Sequence, residues 1–165
     1  MNKLLAMLAM LLGLSLGACV GDDSLDMQDR QRINTVDDAQ VTIEEDGEYT
    51  DPDAVAAYLN QYNRLPDNYI TKAEAESRGW VPEAGNLWAV AEGKSIGGEP
   101  FNNQEDILPD AYGRRYFSAD VNYDGGYRGA ERLVYSNDGL IFYTPDHYDT
   151  FILLYGDEDY ETHYD

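Results

Sequence analysis

The chain has 165 residues, 32 of them acidic and 11 basic, for a formal charge of -21. Fourteen tyrosines and a 43% hydrophobic share exclude wholesale disorder. The charge excludes far-field attraction to nucleic acid or anionic lipid, so such a partner needs a local cationic patch.

In chain order, Asn2 and Lys3 precede "LLAMLAMLLGLSLGA", an apolar run without a charge. It is shorter than the ~20 residues of a comfortable membrane span, and residues 1–18 read as a signal peptide. The run stops at "LGAC", Leu16 to Cys19, which resembles the bacterial lipoprotein box. That resemblance implies cleavage before Cys19, lipid on Cys19, and an exported protein anchored on a periplasmic or cell-surface membrane. The alternative is a secreted protein with an incidental cysteine. A single cysteine permits no disulfide within the chain. Residues 19–45 carry eight acids against two arginines and read as a disordered tether.

Residues 46–155 are punctuated like a folded domain. Thr50 or Asp51 can cap a helix with Pro52 in its first turn and apolar spacing at Val55, Tyr58, Leu59 and Tyr62. "TKAE" (Thr71 to Glu74) has capping-box spacing, and Gly79 closes that helix. Asn86 can cap a third, short helix through Ala91, ended by Gly93. After Gly97-Gly98, "RYFSADVNY", "ERLVYS", "LIFYT" and "TFILLY" read as short strands, with "SNDG" a hairpin turn. Helices first and strands after predict an α+β domain, its N-terminal helices packed on a C-terminal antiparallel sheet. Residues 156–165, "GDEDYETHYD", read as a frayed acidic tail, and His163 there carries no expected role.

"LPDNYITKAEA", "GWV", "GNL", "GKSIGG", "GRRY" and "DHY" followed by "TF" occur in order along residues 46–155. With these stretches the domain resembles the barnase-like family of bacterial guanyl-specific ribonucleases. The resemblance implies the microbial ribonuclease fold and metal-independent cleavage of RNA after guanosine, with no cofactor. It places the general acid at His147, where an imidazole suits proton donation near neutrality. It places phosphate-binding cations at Lys72, Arg128 and Arg132; arginine presents a planar fork to phosphate oxygens. Glu105 matches a carboxylate that accepts from guanine N1–H and the amino group. Asn103 matches the asparagine shaping that loop, and Tyr148 can pack against the base. RNA at guanosine sites and, through Cys19, a membrane are the implied partners; the expected state is a monomer.

Three departures qualify the resemblance. The family's general base, a glutamate two residues before the aspartate matched by Asp120, is here Ser118, whose neutral hydroxyl cannot take a proton near pH 7. Glu99, where relatives carry a shorter aspartate facing the same cleft, is the candidate substitute base. The alternatives are weakened catalysis without a base and a catalytically inactive binding domain. Gln104 stands where a relative has an arginine beside the guanine. Finally, residues 46–155 hold 19 acids and eight bases. A tight complex with an acidic protein inhibitor is therefore not expected, and moderate salt should hinder association with RNA less than counterion release ordinarily does.

Overall fold

The computed structural model describes residues 42–156. The leader, Cys19, most of the tether and the tail beyond Gly156 lie outside them. The elements in chain order are α1 (Pro52–Tyr62), β1 (Tyr69–Ile70), α2 (Lys72–Ser77), a 3₁₀ turn (Pro82–Ala84), α3 (Leu87–Val90), β2 (Ser95–Phe101), β3 (Tyr116–Asp120), β4 (Arg132–Ser136), β5 (Ile141–Thr144) and β6 (Ile152–Tyr155). The strands form one sheet in sequence order. β1 pairs parallel to β2, and every other pair is antiparallel. The fold is α+β, with the helices ahead of an almost wholly antiparallel sheet.

Local chemistry explains the helix ends. Asp51 caps α1, its Oδ1 accepting from the amides of Asp53 and Ala54. Asn63 ends the helix in the left-handed region. The Thr71 hydroxyl accepts from the Glu74 amide at 3.2 Å, half of the expected capping box. The reciprocal half is absent among the described residues: Glu74 Oε1 binds Arg78 instead. Gly79 donates to the Glu76 carbonyl and Trp80 to that of Ala75, which closes α2 in a Schellman motif. Asn86 precedes α3 but does not cap it; its side chain bridges the Val81 amide and the Gly79 carbonyl. Ile43 is buried against Ala54 and Tyr58, and Tyr58 Oη donates to the Glu45 carbonyl, so Ile43 to Glu45 pack on α1.

The sheet has two different faces because side chains alternate along each strand. Val55, Ala56 and Leu59 of α1 bury one face together with Val121, Leu133 and Ile141. On the other face Tyr116, Val134 and Phe142 pack with Leu108 and Phe151, roofed by the long β2–β3 loop. Glu99, Ser118, Asp120, Arg132 and Thr144 share this second face by register. α2 and α3 close a separate small core of Ile70, Ala75, Trp80, Leu87, Ile96 and Tyr123 at the β1–β2 side.

β2 was not expected from the sequence, because its Gly97-Gly98 breaks the apolar alternation. The structure gives both glycines a reason. A Cβ on Gly97 would lie 2.6 Å from Tyr69 Cδ1 and 2.8 Å from Leu65 Cδ1, on the α1 face. Gly98 has φ +81° and sits in a bulge, where the register steps from Gly97 opposite Ala119 to Glu99 opposite Ser118. Two residues on β2 therefore answer one on β3. Glu99 is thereby turned to the face opposite the one Gly97 occupies.

Candidate active site

The centre of the second face is an ion cluster. Asp120 lies at the end of β3, opposite Arg132 on β4. Its side chain is 3% exposed. Arg128, from the β3–β4 loop, meets it with Nε on Oδ2 at 2.5 Å and Nη2 on Oδ1 at 2.7 Å. Arg132 Nε lies 2.8 Å from Oδ1. That N–H is not aimed well enough at the oxygen to count as a hydrogen bond, so the contact is an ion pair without one. Arg132 Nη1 is fixed by the carbonyls of Gly129 and Glu131. One carboxylate thus holds two guanidinium groups side by side. Burial pulls the pKa of Arg128 down, but the hydrogen bonds and charge of Asp120 outweigh it, and the net shift is upward. The negative charges of Tyr148 and Glu99 add to that upward push. The Arg128 Cζ also lies 6.0 Å from the centre of the Trp80 ring.

Glu99 faces Ser118 across the β2–β3 ladder. Its Oε1 accepts from the Lys72 backbone amide at 2.6 Å, one of the otherwise unpaired donors at the start of α2. The first helical residue, Lys72, is thereby held against β2, and its exposed side chain makes no ion pair among the described residues.

His147 and Tyr148 lie in the loop between β5 and β6, with φ of +59° and +79°. Their rings are 4.8 Å apart. Tyr148 also packs on Phe101, with ring centres 5.0 Å apart. Asp146 organises the loop. Oδ1 accepts from Thr144 Oγ1 at 3.0 Å, the Asp149 amide at 3.1 Å and the Thr150 amide at 2.9 Å, and Oδ2 accepts from Thr150 Oγ1 at 2.6 Å. A pocket of about 270 Å³ lies beside this loop, lined by Asn103, Gln104, Glu105, His147 and Tyr148 among others. The Asn103 side chain works inside its own loop: Nδ2 donates to the Leu108 carbonyl and Oδ1 accepts from the Leu108 amide. Glu105 is exposed at the pocket's rim.

The residues singled out in the sequence therefore fall into linked groups. Glu99 touches Lys72, and Arg128 and Arg132 share Asp120. His147 and Tyr148 share a pocket with Asn103 and Glu105. Sequence reading gave Asp120 only as an alignment landmark and passed over Thr144, Asp146 and Thr150. The signal for those was present: Thr, Asp and Thr within seven residues is side-chain-to-backbone turn chemistry. No group of three or more potential metal ligands occurs among the described residues.

A ribonuclease family model matches residues 52–155. The chain belongs to the ribonuclease family. It is 60% identical over 99 residues to a ribonuclease of Heyndrickxia coagulans, covering 60% of this chain and 91% of that protein. It is equally similar to a ribonuclease of Bacillus intermedius, of which the match spans 61%. A guanyl-specific ribonuclease St of Saccharopolyspora erythraea is 44% identical over 57 residues, 34% of this chain and 56% of that one. The family match covers every element from α1 to β6. The cations, His147 and the pocket thus all lie within it.

Removing the charge of Asp120 leaves two guanidinium groups facing one another with little water. Asp120→Asn should destabilise this ribonuclease by about 3–5 kcal/mol, as loss of one partner from a buried pair does. Urea unfolding of the two proteins measures it. A difference below about 1 kcal/mol, the scale of an exposed pair, would show that the cluster is solvated and not a structural hub.

Proposed function

We propose that this protein is a guanyl-preferring endoribonuclease that needs no metal. The observation that carries this reading is the sharing of Asp120 by Arg128 and Arg132, on the sheet face that also presents Glu99 and Thr144, the residue to which the Tyr148 amide of the His147 loop donates. Cleavage by transesterification has three requirements, and we assign a group of this chain to each. Glu99 takes the proton of the ribose 2′-hydroxyl through Oε2, which makes no hydrogen bond among the described residues. The 2′-oxygen attacks the adjacent phosphorus while Arg128, Arg132 and Lys72 balance the charge on its oxygens. His147 gives a proton to the departing 5′-oxygen, and the P–O5′ bond breaks to leave a 2′,3′-cyclic phosphate. Water then opens the ring with the two proton roles reversed. Glu105 accepts from guanine N1–H and the amino group in the pocket beside Tyr148.

The position of Ser118 favours one rival reading, a catalytically silent domain that binds nucleotide. One observation supports the enzyme reading over it. Ser118 and Glu99 are cross-strand neighbours on one face, which supports Glu99 as a base supplied from the adjacent strand. In cells, we propose that Cys19 carries lipid and holds the enzyme on a membrane, as the leader suggests.

Cleavage of a guanosine-containing dinucleotide by the full chain tests the enzyme reading. His147→Ala and Glu99→Gln should each slow it about 100-fold or more. Silence of the wild type combined with activity in Ser118→Glu would establish the binding-domain reading instead. Full activity in Glu99→Gln would remove Glu99 from the mechanism. Lipidation at Cys19 predicts partition of the cell-expressed protein into a detergent phase, lost in Cys19→Ala; equal partition of both would refute it.

A further inference from the structure

Two neighbouring residues with side chains, His147 and Tyr148, both hold left-handed backbone conformations, at φ +59° and +79°. A Cβ makes that region unfavourable, and a pair in succession does not persist without an external constraint. The chain supplies no glycine between Pro145 and Phe151 to relieve it. The constraint visible in the structure is a carboxylate. Asp146 accepts four hydrogen bonds, from Thr144 Oγ1 on one side of the pair and from the amides of Asp149 and Thr150 and the Thr150 hydroxyl on the other. Thr144 is fully buried at the end of β5. Its hydroxyl oxygen accepts from the Tyr148 amide at 2.9 Å while its proton goes to Asp146. The backbone on both sides of His147 is therefore tied to one carboxylate and one buried hydroxyl. Thr144 also pairs in register with Arg132, which touches Asp120. The imidazole's loop and the paired guanidinium groups are thus anchored on adjacent strands.

We propose that Asp146 is a positioning residue of this ribonuclease: its carboxylate holds the β5–β6 loop so that the His147 imidazole reaches the leaving oxygen and Tyr148 walls the base pocket. The hydrogen bonds from Thr150 also lower the pKa of Asp146, so the strap is anionic across the neutral range. The proposal rests on His147 being the general acid. It predicts that Asp146 matters in proportion to how much the leaving group needs a proton. Displacement of a catalytic group by about 1 Å costs roughly 100-fold.

The test compares two substrates on the full chain. One is a guanosine dinucleotide, whose alkoxide leaving group requires protonation. The other is a guanosine 3′-(4-nitrophenyl phosphate), whose phenolate leaves unaided. Asp146→Ala should slow the dinucleotide about 100-fold and the nitrophenyl ester only several-fold. Asp146→Asn keeps an acceptor oxygen for the two amides and should recover most of the loss. Where the alanine variant does not fold, Thr150→Val, which removes the hydroxyl bonded to Oδ2, takes its place with a smaller but equally leaving-group-dependent loss. An equal loss on both substrates, or none, overturns the positioning role. His147→Ala is measured alongside. A uniform loss there overturns the acid assignment itself, whereas a leaving-group-dependent loss in His147→Ala alone overturns only the role of Asp146. Hydrogen exchange gives a readout that needs no turnover. The amides of Tyr148, Asp149 and Thr150 should exchange slowly in the wild type and quickly in Asp146→Ala, and unchanged exchange would contradict the strap.

Discussion

The arrangement of this molecule's functional face depends on one carboxylate neutralising two guanidinium groups. Asp120 is almost wholly buried at the end of β3, and Arg128 and Arg132 approach it from the following loop and strand. Placed together without it, two such cations would repel and draw in water. With it, they form a fixed doublet, Arg132 almost wholly buried and Arg128 partly open to solvent. Tyr69 adds support from β1, its hydroxyl donating to the Asp120 carbonyl at 2.8 Å. The desolvation cost of burying these charges is offset locally by their mutual attraction and hydrogen bonds.

A second constraint acts on the backbone of β2. The bulge at Gly98 inverts the face on which Glu99 lies, and the Lys72 amide then holds that carboxylate at 2.6 Å. The start of α2 and the Glu99 carboxylate are thus parts of one contact. Ser118 sits directly across the ladder. A reader who compares only position 118 with the family sees a lost base. The sheet shows a carboxylate on the neighbouring strand, which is where the proposed mechanism puts the base.

The class of fold was legible in the sequence, and the reasons are local. Asp51, Thr71 and Gly79 announced helix ends through chemistry within five residues, and each works as that chemistry requires. The four C-terminal strands were visible through their β-branched and aromatic runs. β2 was not, because its glycines answer to Tyr69, Leu65 and a bulge, which are contacts of the folded sheet and not of the strand. Likewise the Glu74 half of the capping box gave way to Arg78, since a charged partner four residues on competes for the carboxylate. His147, Arg128 and Arg132 were picked out by resemblance and not by pattern. What no pattern showed was their support: the shared Asp120 and the Asp146 strap depend on strand register and on a loop with two left-handed residues.

The net charge of residues 46–155 opposes a polyanion at long range, so any grip on RNA comes from the short-range constellation. The most direct test of that constellation is an NMR titration of the protein with a 2′-deoxy guanosine dinucleotide, which binds but cannot be cleaved. The account predicts saturable shifts at His147, Lys72, Arg128 and Arg132 together, with one common dissociation constant. Shifts confined to one of them, or spread over the α1 side of the sheet, would contradict it.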